Sequence, residues 1–168
     1  MNYGKIIYND VANGPGCRTS LFVSGCHRHC KGCFNKETWD FGYGEPFTDI
    51  TMRDIVLSLN KPQISGLTIL GGEPLAVENL ATVMFICDAI KYVFEDKSIW
   101  LYTGYTYEEI ATCHFFEHVD VLVDGPFVEE KKDLRLQFRG SSNQRIIDVQ
   151  KSLKTGGVVL WEGLKDRV

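Results

Sequence analysis

Short runs of β-branched and aromatic residues alternate along the chain with longer stretches whose apolar residues recur at helical spacing. Such alternation is typical of β/α units around a mostly parallel sheet. The short runs predict seven strands, at Lys5–Tyr8, Arg18–Ser24, Gly66–Leu70, Ser98–Tyr102, Val119–Val123, Arg145–Val149 and Val158–Trp161. The longer stretches predict three helices, at Asp49–Leu59, Leu75–Phe94 and Thr106–Cys113. The predicted fold class is therefore α/β.

A chain of 168 residues is long enough to bury the core of one domain, which we expect to span residues 1–168. It is too short for a complete eightfold β/α barrel, which typically takes ~250 residues. We therefore expect an incomplete β/α barrel that is open on one side. The second predicted helix carries one apolar stripe that should face the sheet, formed by Leu80, Val83, Cys87, Ile90 and Phe94.

The charge balance and the hydropathy pattern exclude several classes of protein. The net charge of -4 lacks the basic excess of a general nucleic-acid binder. No run approaches the ~18 apolar residues of a membrane span, and the opening MNYGKIIYNDVANGPG shows no secretory signal. We therefore expect a cytoplasmic protein with no nucleic-acid or membrane partner. Thiols stay reduced in that compartment, so six cysteines predict metal or redox chemistry rather than disulfides.

Cys26, Cys30 and Cys33 directly follow the predicted strand RTSLFVS. Many α/β enzymes place their chemistry at this end of a strand. Three thiolates so close in sequence can converge on one metal centre. They fit a 4Fe–4S cluster, which usually takes four cysteines, and they also fit a zinc site completed by His27 or His29.

No other cysteine is placed to complete a cluster. Cys17 lies at the far end of the same strand, about 25–30 Å away at ~3.3 Å per residue. Cys87 lies about 18 Å along the second predicted helix, and Cys113 lies at the far end of the third. We interpret both as apolar core residues. One iron would then lack a protein ligand, and an open position on a metal centre usually marks catalysis.

The connection after the strand Gly66–Leu70 reads Gly71-Gly72-Glu73-Pro74. Two glycines let a ligand approach the main chain, the glutamate offers a carboxylate to an ammonium group, and the proline suits a first helical turn. Taken alone, the segment is also an ordinary strand-to-helix turn. Like the cysteine loop, it follows a predicted strand.

Together, the C-x3-C-x2-C spacing and the GGEP segment resemble the radical S-adenosylmethionine family. The resemblance implies one 4Fe–4S cluster on Cys26, Cys30 and Cys33, with S-adenosylmethionine on the fourth iron. In that family the cofactor is cleaved to methionine and a 5′-deoxyadenosyl radical, with no catalytic side chain beyond cluster and cofactor. The expected cofactor contacts are Gly32, Cys33, Phe34, Gly71, Gly72, Glu73, Pro74, Thr103, Gly104 and Asn143. Many members carry an aromatic residue where this chain has Gly32, so stacking on adenine from that position is lost.

Longer segments carry a closer resemblance. NGPGCRTSLFVSGC, HRHCKGCFNKETW, DGPF and RGSSNQRIIDV, which lie within residues 13–149, resemble the activating proteins of anaerobic ribonucleoside-triphosphate reductase. That family generates a glycyl radical in the large subunit of the reductase, which is its protein substrate. The resemblance also implies an external one-electron donor such as flavodoxin, because the sequence shows no second cluster motif.

Three other functions fit parts of the pattern. The nearest is a pyruvate formate-lyase-type activase, although some of its relatives carry extra ferredoxin-like cysteines that this sequence lacks. Another is a small radical enzyme acting on a free metabolite, such as the one that builds 7-carboxy-7-deazaguanine with a longer gap between its first two cysteines. A zinc-stapled binding module is the alternative from a different class.

The sequence shows no insertion large enough for a lid, so we expect an exposed radical site that a protein partner closes. Residues 131–145 carry five basic residues against one acidic residue. The basic residues are Lys131, Lys132, Arg135, Arg139 and Arg145. This stretch fits a docking face for the reductase and also fits a solvated loop.

Overall fold

The strands form one mixed, open sheet in the computed structural model, which describes residues 1–111 and 114–163. They are β1 (Asn2–Asp10), β2 (Cys17–Val23), β3 (Glu45–Pro46), β4 (Ile64–Gly71), β5 (Ser98–Tyr102), β6 (Val121–Asp124) and β7 (Arg145–Asp148). Their spatial order is β3-β1-β2-β4-β5-β6-β7. The central strands β2, β4, β5 and β6 are parallel, whereas β1, β3 and β7 pair antiparallel. No pairing joins β3 to β7 within the described ranges, so the sheet does not close into a barrel.

Among the described residues, four α-helices accompany the sheet: α1 (Asp49–Leu59), α2 (Val77–Val93), α3 (Tyr107–Ile110) and α4 (Val149–Thr155). Helices α1 and α2 connect the parallel strands, as the alternating sequence pattern predicts. In the part of the chain that the structure describes, no helix is long and apolar enough to cross a membrane.

The predicted elements near the C-terminus are partly wrong. Val149 begins α4 instead of ending β7, because Asp148 caps that helix. The predicted strand Val158–Trp161 is reduced to a single bridge between Ile147 and Leu160. The two-residue strand β3 was not predicted, because two residues show no periodicity.

Two predicted helices have shorter bounds in the structure. Helix α2 begins at Val77 rather than Leu75, because the Leu75 N–H donates to the side chain of Glu73 in the preceding turn. The predicted helix Thr106–Cys113 contains α3, and its capping box is present. Cys113 itself lies outside the described residues.

Alternate residues of the central strands face opposite sides of the sheet. One side packs on the helices, and its buried residues include Leu21, Val23, Leu67, Ile69, Ile99 and Leu101. The predicted stripe of α2 joins this core: Val83, Cys87, Ile90 and Phe94 are buried there, and Leu80 packs against them. The other side of the sheet carries Arg18, Ser20, Phe22, Thr68, Leu70, Trp100 and Tyr102. This second side is more polar.

Arg18 crosses that polar side almost fully buried. Its guanidinium donates to Thr68 Oγ1 at 2.7 Å and to the carbonyl oxygens of Leu67 and Ser98 at 2.8 and 2.9 Å. Burial lowers the pKa of Arg18 to about 10, so the side chain stays charged at neutral pH. The Arg18 network links β2, β4 and β5 below their carboxyl ends, where the predicted site residues lie.

Candidate functional site

The cysteine loop begins at a fixed point after β2. The N–H groups of Gly25 and Cys26 donate to the carbonyl oxygens of Thr38 and Trp39 at 2.7 and 3.0 Å. Thr38 and Trp39 belong to a 3-10 helix, Lys36–Trp39. The segment that follows the three cysteines therefore returns to the segment that precedes them and anchors it.

The Gly71–Pro74 turn is hydrogen-bonded to the same loop. The Gly72 N–H donates to the Val23 carbonyl at 2.8 Å, and the Glu73 N–H donates to the Gly25 carbonyl at 2.7 Å. A Cβ on Gly72 would lie 2.5 Å from the Gly25 oxygen, so a side chain there would force the two segments apart. The two motifs that the sequence singles out are thus in contact.

Asn79 of α2 reinforces this junction. Its buried Nδ2 donates to the carbonyl oxygens of Ser24 and Glu73 at 2.9 and 3.0 Å. The sequence analysis missed this residue, because a single asparagine in a helix belongs to no motif. The available signal was a polar side chain one turn before Val83, on the face that otherwise packs against the sheet.

The Glu73 carboxylate is buried and already has three donors. It accepts from Thr103 Oγ1 at 2.7 Å, the Gly104 N–H at 2.8 Å and the Leu75 N–H at 3.0 Å. Burial raises the pKa of Glu73, and these donors and Arg28 oppose the rise. A carboxylate can accept about four hydrogen bonds, so one position is left for a ligand.

A cavity of about 580 Å³ opens beside this junction, within the ~300–1,000 Å³ typical of small-molecule sites. Nine of the predicted site residues line it: Cys26, Cys30, Cys33, Phe34, Gly71, Gly72, Glu73, Thr103 and Gly104. Residues from both motifs and from the end of β5 therefore share one cavity.

Gly32, Pro74 and Asn143, also predicted to contact the cofactor, do not line this cavity. Gly32 has a φ of 71°, and a Cβ there would lie 2.6 Å from the carboxylate of Glu129. Pro74 is buried in the turn before α2, and Asn143 Nδ2 donates to the Pro126 carbonyl at 2.8 Å.

The three cysteines of the loop are free and partly exposed. Burial raises the pKa of the Cys26 thiol, and the N–H groups of Arg28 and His29 oppose the rise. Across residues 1–111 and 114–163, no three His, Cys, Asp or Glu side chains are gathered to hold a single metal ion.

Residues 125–144, which we term the wall segment, form one side of the cavity, which remains open to solvent. The segment contributes Gly125, Phe127, Asp133, Leu134, Leu136, Phe138, Arg139, Gly140 and Gln144. It is braced on the cysteine loop, because Phe34 packs edge-on against Phe127 with ring centroids 5.2 Å apart. The Lys31 Nζ also lies 3.0 Å from the Glu129 carboxylate. The chain therefore covers part of the site itself.

The basic stretch 131–145 is partly neutralised within the fold. Arg145 pairs with the buried Asp124, and Arg135 pairs with Asp133 at 2.9 Å. The uncompensated positive charge is therefore smaller than the sequence suggests.

A family model described as a 4Fe-4S single cluster domain matches residues 12–147. The anaerobic ribonucleoside-triphosphate reductase-activating protein of Enterobacteria phage T4 is 41% identical over 146 residues, which cover 87% of this chain and 93% of the relative. The chain belongs to the anaerobic ribonucleoside-triphosphate reductase-activating protein family. The family member from Vibrio cholerae is 42% identical over 150 residues, covering 87% of this chain and 97% of the relative. The one from Escherichia coli is 41% identical over 148 residues, covering 86% and 96%.

Membership in this activating-protein family confirms the closer of the two resemblances found in the sequence. The matched 4Fe-4S region includes the cysteine loop, the Gly71–Pro74 turn and the wall segment. The first two follow strands and match motifs. The wall segment has one 3-10 turn, Glu129–Lys131, and no apolar periodicity, so the sequence pattern gave no sign of its position.

Proposed function

We propose that this chain binds one 4Fe–4S cluster at Cys26, Cys30 and Cys33, binds S-adenosylmethionine beside it, and generates a glycyl radical in anaerobic ribonucleoside-triphosphate reductase. One observation carries the proposal: the cysteine loop and the Gly71–Pro74 turn are joined by main-chain hydrogen bonds and contribute to one cavity. The name of the relatives supports this reductase as the protein substrate over pyruvate formate-lyase or a free metabolite.

The donor set fits a cluster with one iron left for a cofactor. Cys17 begins β2 at the opposite end of the sheet, and Cys87 is buried in the core, so neither supplies a fourth thiolate here. When bound, the cluster supplies the electron that cleaves a C–S bond of S-adenosylmethionine and yields the radical.

At the methionine end of the cavity, residues of the chain bind S-adenosylmethionine and orient it. Gly71 and Gly72 leave main-chain atoms open to the cavity, and Glu73 offers its remaining acceptor position to the α-ammonium group. Thr103 and Gly104 hold the Glu73 carboxylate in place through their hydrogen bonds. These contacts would fix the cofactor before any electron arrives.

At the other end, Phe34 and the main chain of Cys33 border the space for adenine. Phe34 packs edge-on against Phe127 of the wall segment, which fixes the position of its ring. In this proposal Gly32, Pro74 and Asn143 position the segments that line the cavity.

The proposal extends to the fold and to the partners. The open sheet is the incomplete β/α barrel of radical S-adenosylmethionine enzymes, and residues 1–168 form one such domain. The electron comes from a separate donor such as reduced flavodoxin. All five described cysteines are free, which suits a reducing compartment such as the cytoplasm.

Anaerobic reconstitution with iron and sulfide tests the cluster and the cofactor together. We expect about four irons per chain, an electron paramagnetic resonance signal after reduction that changes when S-adenosylmethionine is added, and release of 5′-deoxyadenosine. One tightly bound zinc per chain with no iron uptake would contradict the proposal and support the zinc-stapled module.

The Glu73→Gln variant is expected to keep its cluster and to bind S-adenosylmethionine about 10-fold more weakly or worse, because a charged acceptor is lost. Its unfolding free energy should fall by about 1–3 kcal/mol, since an amide cannot accept from all three donors that now meet the carboxylate. Equilibrium dialysis and thermal unfolding measure the two effects. Glu95→Gln, at an exposed position, is the control. Unchanged affinity in the Glu73 variant would show that the ammonium group binds elsewhere.

Charge reversal on the wall segment tests the docking face. Lys131→Glu combined with Arg135→Glu is expected to slow activation of the reductase about 10-fold at low salt, because exposed charges act mainly on association rates. Uncoupled cleavage of S-adenosylmethionine should not change. Lys61→Glu with Lys154→Glu makes the same charge change at exposed positions elsewhere. Equal activation by both double variants would identify the stretch as a solvated loop.

A further inference from the structure

Arg28 lies in the middle of the cysteine loop and lines the cavity beside Glu73 and Gly104. Its guanidinium carbon lies 4.2 Å from the ring centroid of Tyr105, so the planar group rests on an aromatic face. A Cβ on Gly104 would lie 2.3 Å from Arg28 Cδ. Because Gly104 has no side chain, the aliphatic part of Arg28 can occupy this space.

The positive charge of Arg28 is close to two carboxylates but hydrogen-bonded to neither. Its Nε lies 3.7 Å from Glu73 Oε2, and its Nη2 lies 4.0 Å from Glu109 Oε2. Glu109 instead accepts from the N–H and hydroxyl of Thr106, and Glu73 accepts from the donors described above. Within the described chain, Arg28 Nε is buried without an acceptor.

A buried guanidinium N–H without an acceptor is costly, and such groups in native proteins usually have a functional reason. Here the guanidinium of Arg28 and a carboxylate with one free acceptor position lie side by side, and both residues line the cavity. An α-amino acid carries the groups that complement this glutamate and this arginine: an ammonium and a carboxylate on the same carbon. Arginine is also the side chain whose geometry best matches a carboxylate.

We propose that Arg28 binds the α-carboxylate of the methionine portion of S-adenosylmethionine, while Glu73 faces its α-ammonium group. This inference rests on the proposed function and adds a specificity: the cavity selects a ligand that carries an intact amino-acid head. A carboxylate has two oxygens, so binding to Arg28 is compatible with a metal contact through the other oxygen.

The test compares two ligands on three proteins after anaerobic reconstitution. The ligands are S-adenosylmethionine and decarboxylated S-adenosylmethionine, which keeps the ammonium group but lacks the carboxylate. The proteins are the unmodified chain, Arg28→Gln and Arg28→Lys, with affinities measured by equilibrium dialysis and expressed per assembled cluster. Arg53→Gln, at an exposed arginine on α1, is the matched control.

We expect Arg28→Gln to bind S-adenosylmethionine about 10- to 100-fold more weakly, with little change for the decarboxylated ligand. Arg28→Lys should recover part of the loss, because the charge is kept. An equal loss for both ligands would overturn the assignment and show that Arg28 only supports the loop. Unchanged binding by Arg28→Gln would also overturn it. If the unmodified chain binds no S-adenosylmethionine, the proposed function fails, and this inference fails with it.

Discussion

Replacing Cys30 with alanine is expected to eliminate stable cluster assembly and to lower the production of 5′-deoxyadenosine more than ~100-fold. Two thiolates then remain in the loop, and among the described cysteines Cys17 and Cys87 lie too far away to substitute. Removing a group that only supports a metal ligand typically lowers metal affinity or activity ~10- to 100-fold. Removing a cysteine that binds iron directly should lower the activity further. Iron and sulfide content, the visible absorbance of the cluster and the cleavage rate of S-adenosylmethionine measure the effect.

Cys17→Ala and Cys87→Ala are the matched controls. Cys17 begins β2 and Cys87 is fully buried in the helix-side core, so both variants should assemble a normal cluster. Cys87→Ala should lose a little stability, because a buried side chain becomes smaller. Full iron content in Cys30→Ala, or loss of iron in Cys17→Ala, would show that the ligands are wrongly assigned.

The Gly72→Ala variant is expected to lose about 1–3 kcal/mol of unfolding free energy and most of its affinity for S-adenosylmethionine. The added Cβ would meet two main-chain oxygens, at 2.5 Å from Gly25 and 2.9 Å from Thr38, and neither can move as a flexible side chain would. The Gly71–Pro74 turn would therefore shift away from the cysteine loop. Thermal unfolding and equilibrium dialysis record the two losses.

Gly157→Ala provides the comparison for this change, because a Cβ there meets nothing within 4 Å. Its stability and its affinity for the cofactor should match those of the unmodified chain. A Gly72→Ala variant with unchanged stability and affinity would mean that the contact between the turn and the loop is not needed for binding.

The central site is predictable from sequence because its residues follow strands. Cys26, Cys30 and Cys33 come directly after β2, and the Gly71–Pro74 turn comes at the end of β4, which pairs parallel with β2. The carboxyl ends of neighbouring parallel strands meet at one edge of a sheet, so the two motifs had to meet there. The periodicity of α2 likewise identifies its buried stripe.

The remaining features depend on contacts that no local pattern shows. The wall segment is held by pairs distant in sequence, such as Phe34 with Phe127 and Lys31 with Glu129. Nothing in a charged loop sequence shows that Arg28 turns towards the Gly71–Pro74 turn. The error at Val149 arises because a short apolar run fits the end of a strand and the start of a buried helix equally well. The Asp148 side chain, which caps α4, places Val149 in the helix.

The measurement that tests the account most directly follows the hydrogen that the radical removes. The reconstituted chain, a chemical reductant and S-adenosylmethionine are incubated with anaerobic ribonucleoside-triphosphate reductase deuterated at glycine Cα. We predict deuterium in the 5′-deoxyadenosine, together with a glycyl signal in the paramagnetic resonance spectrum of the reductase. Deoxyadenosine without deuterium and a reductase without a glycyl signal would contradict the account.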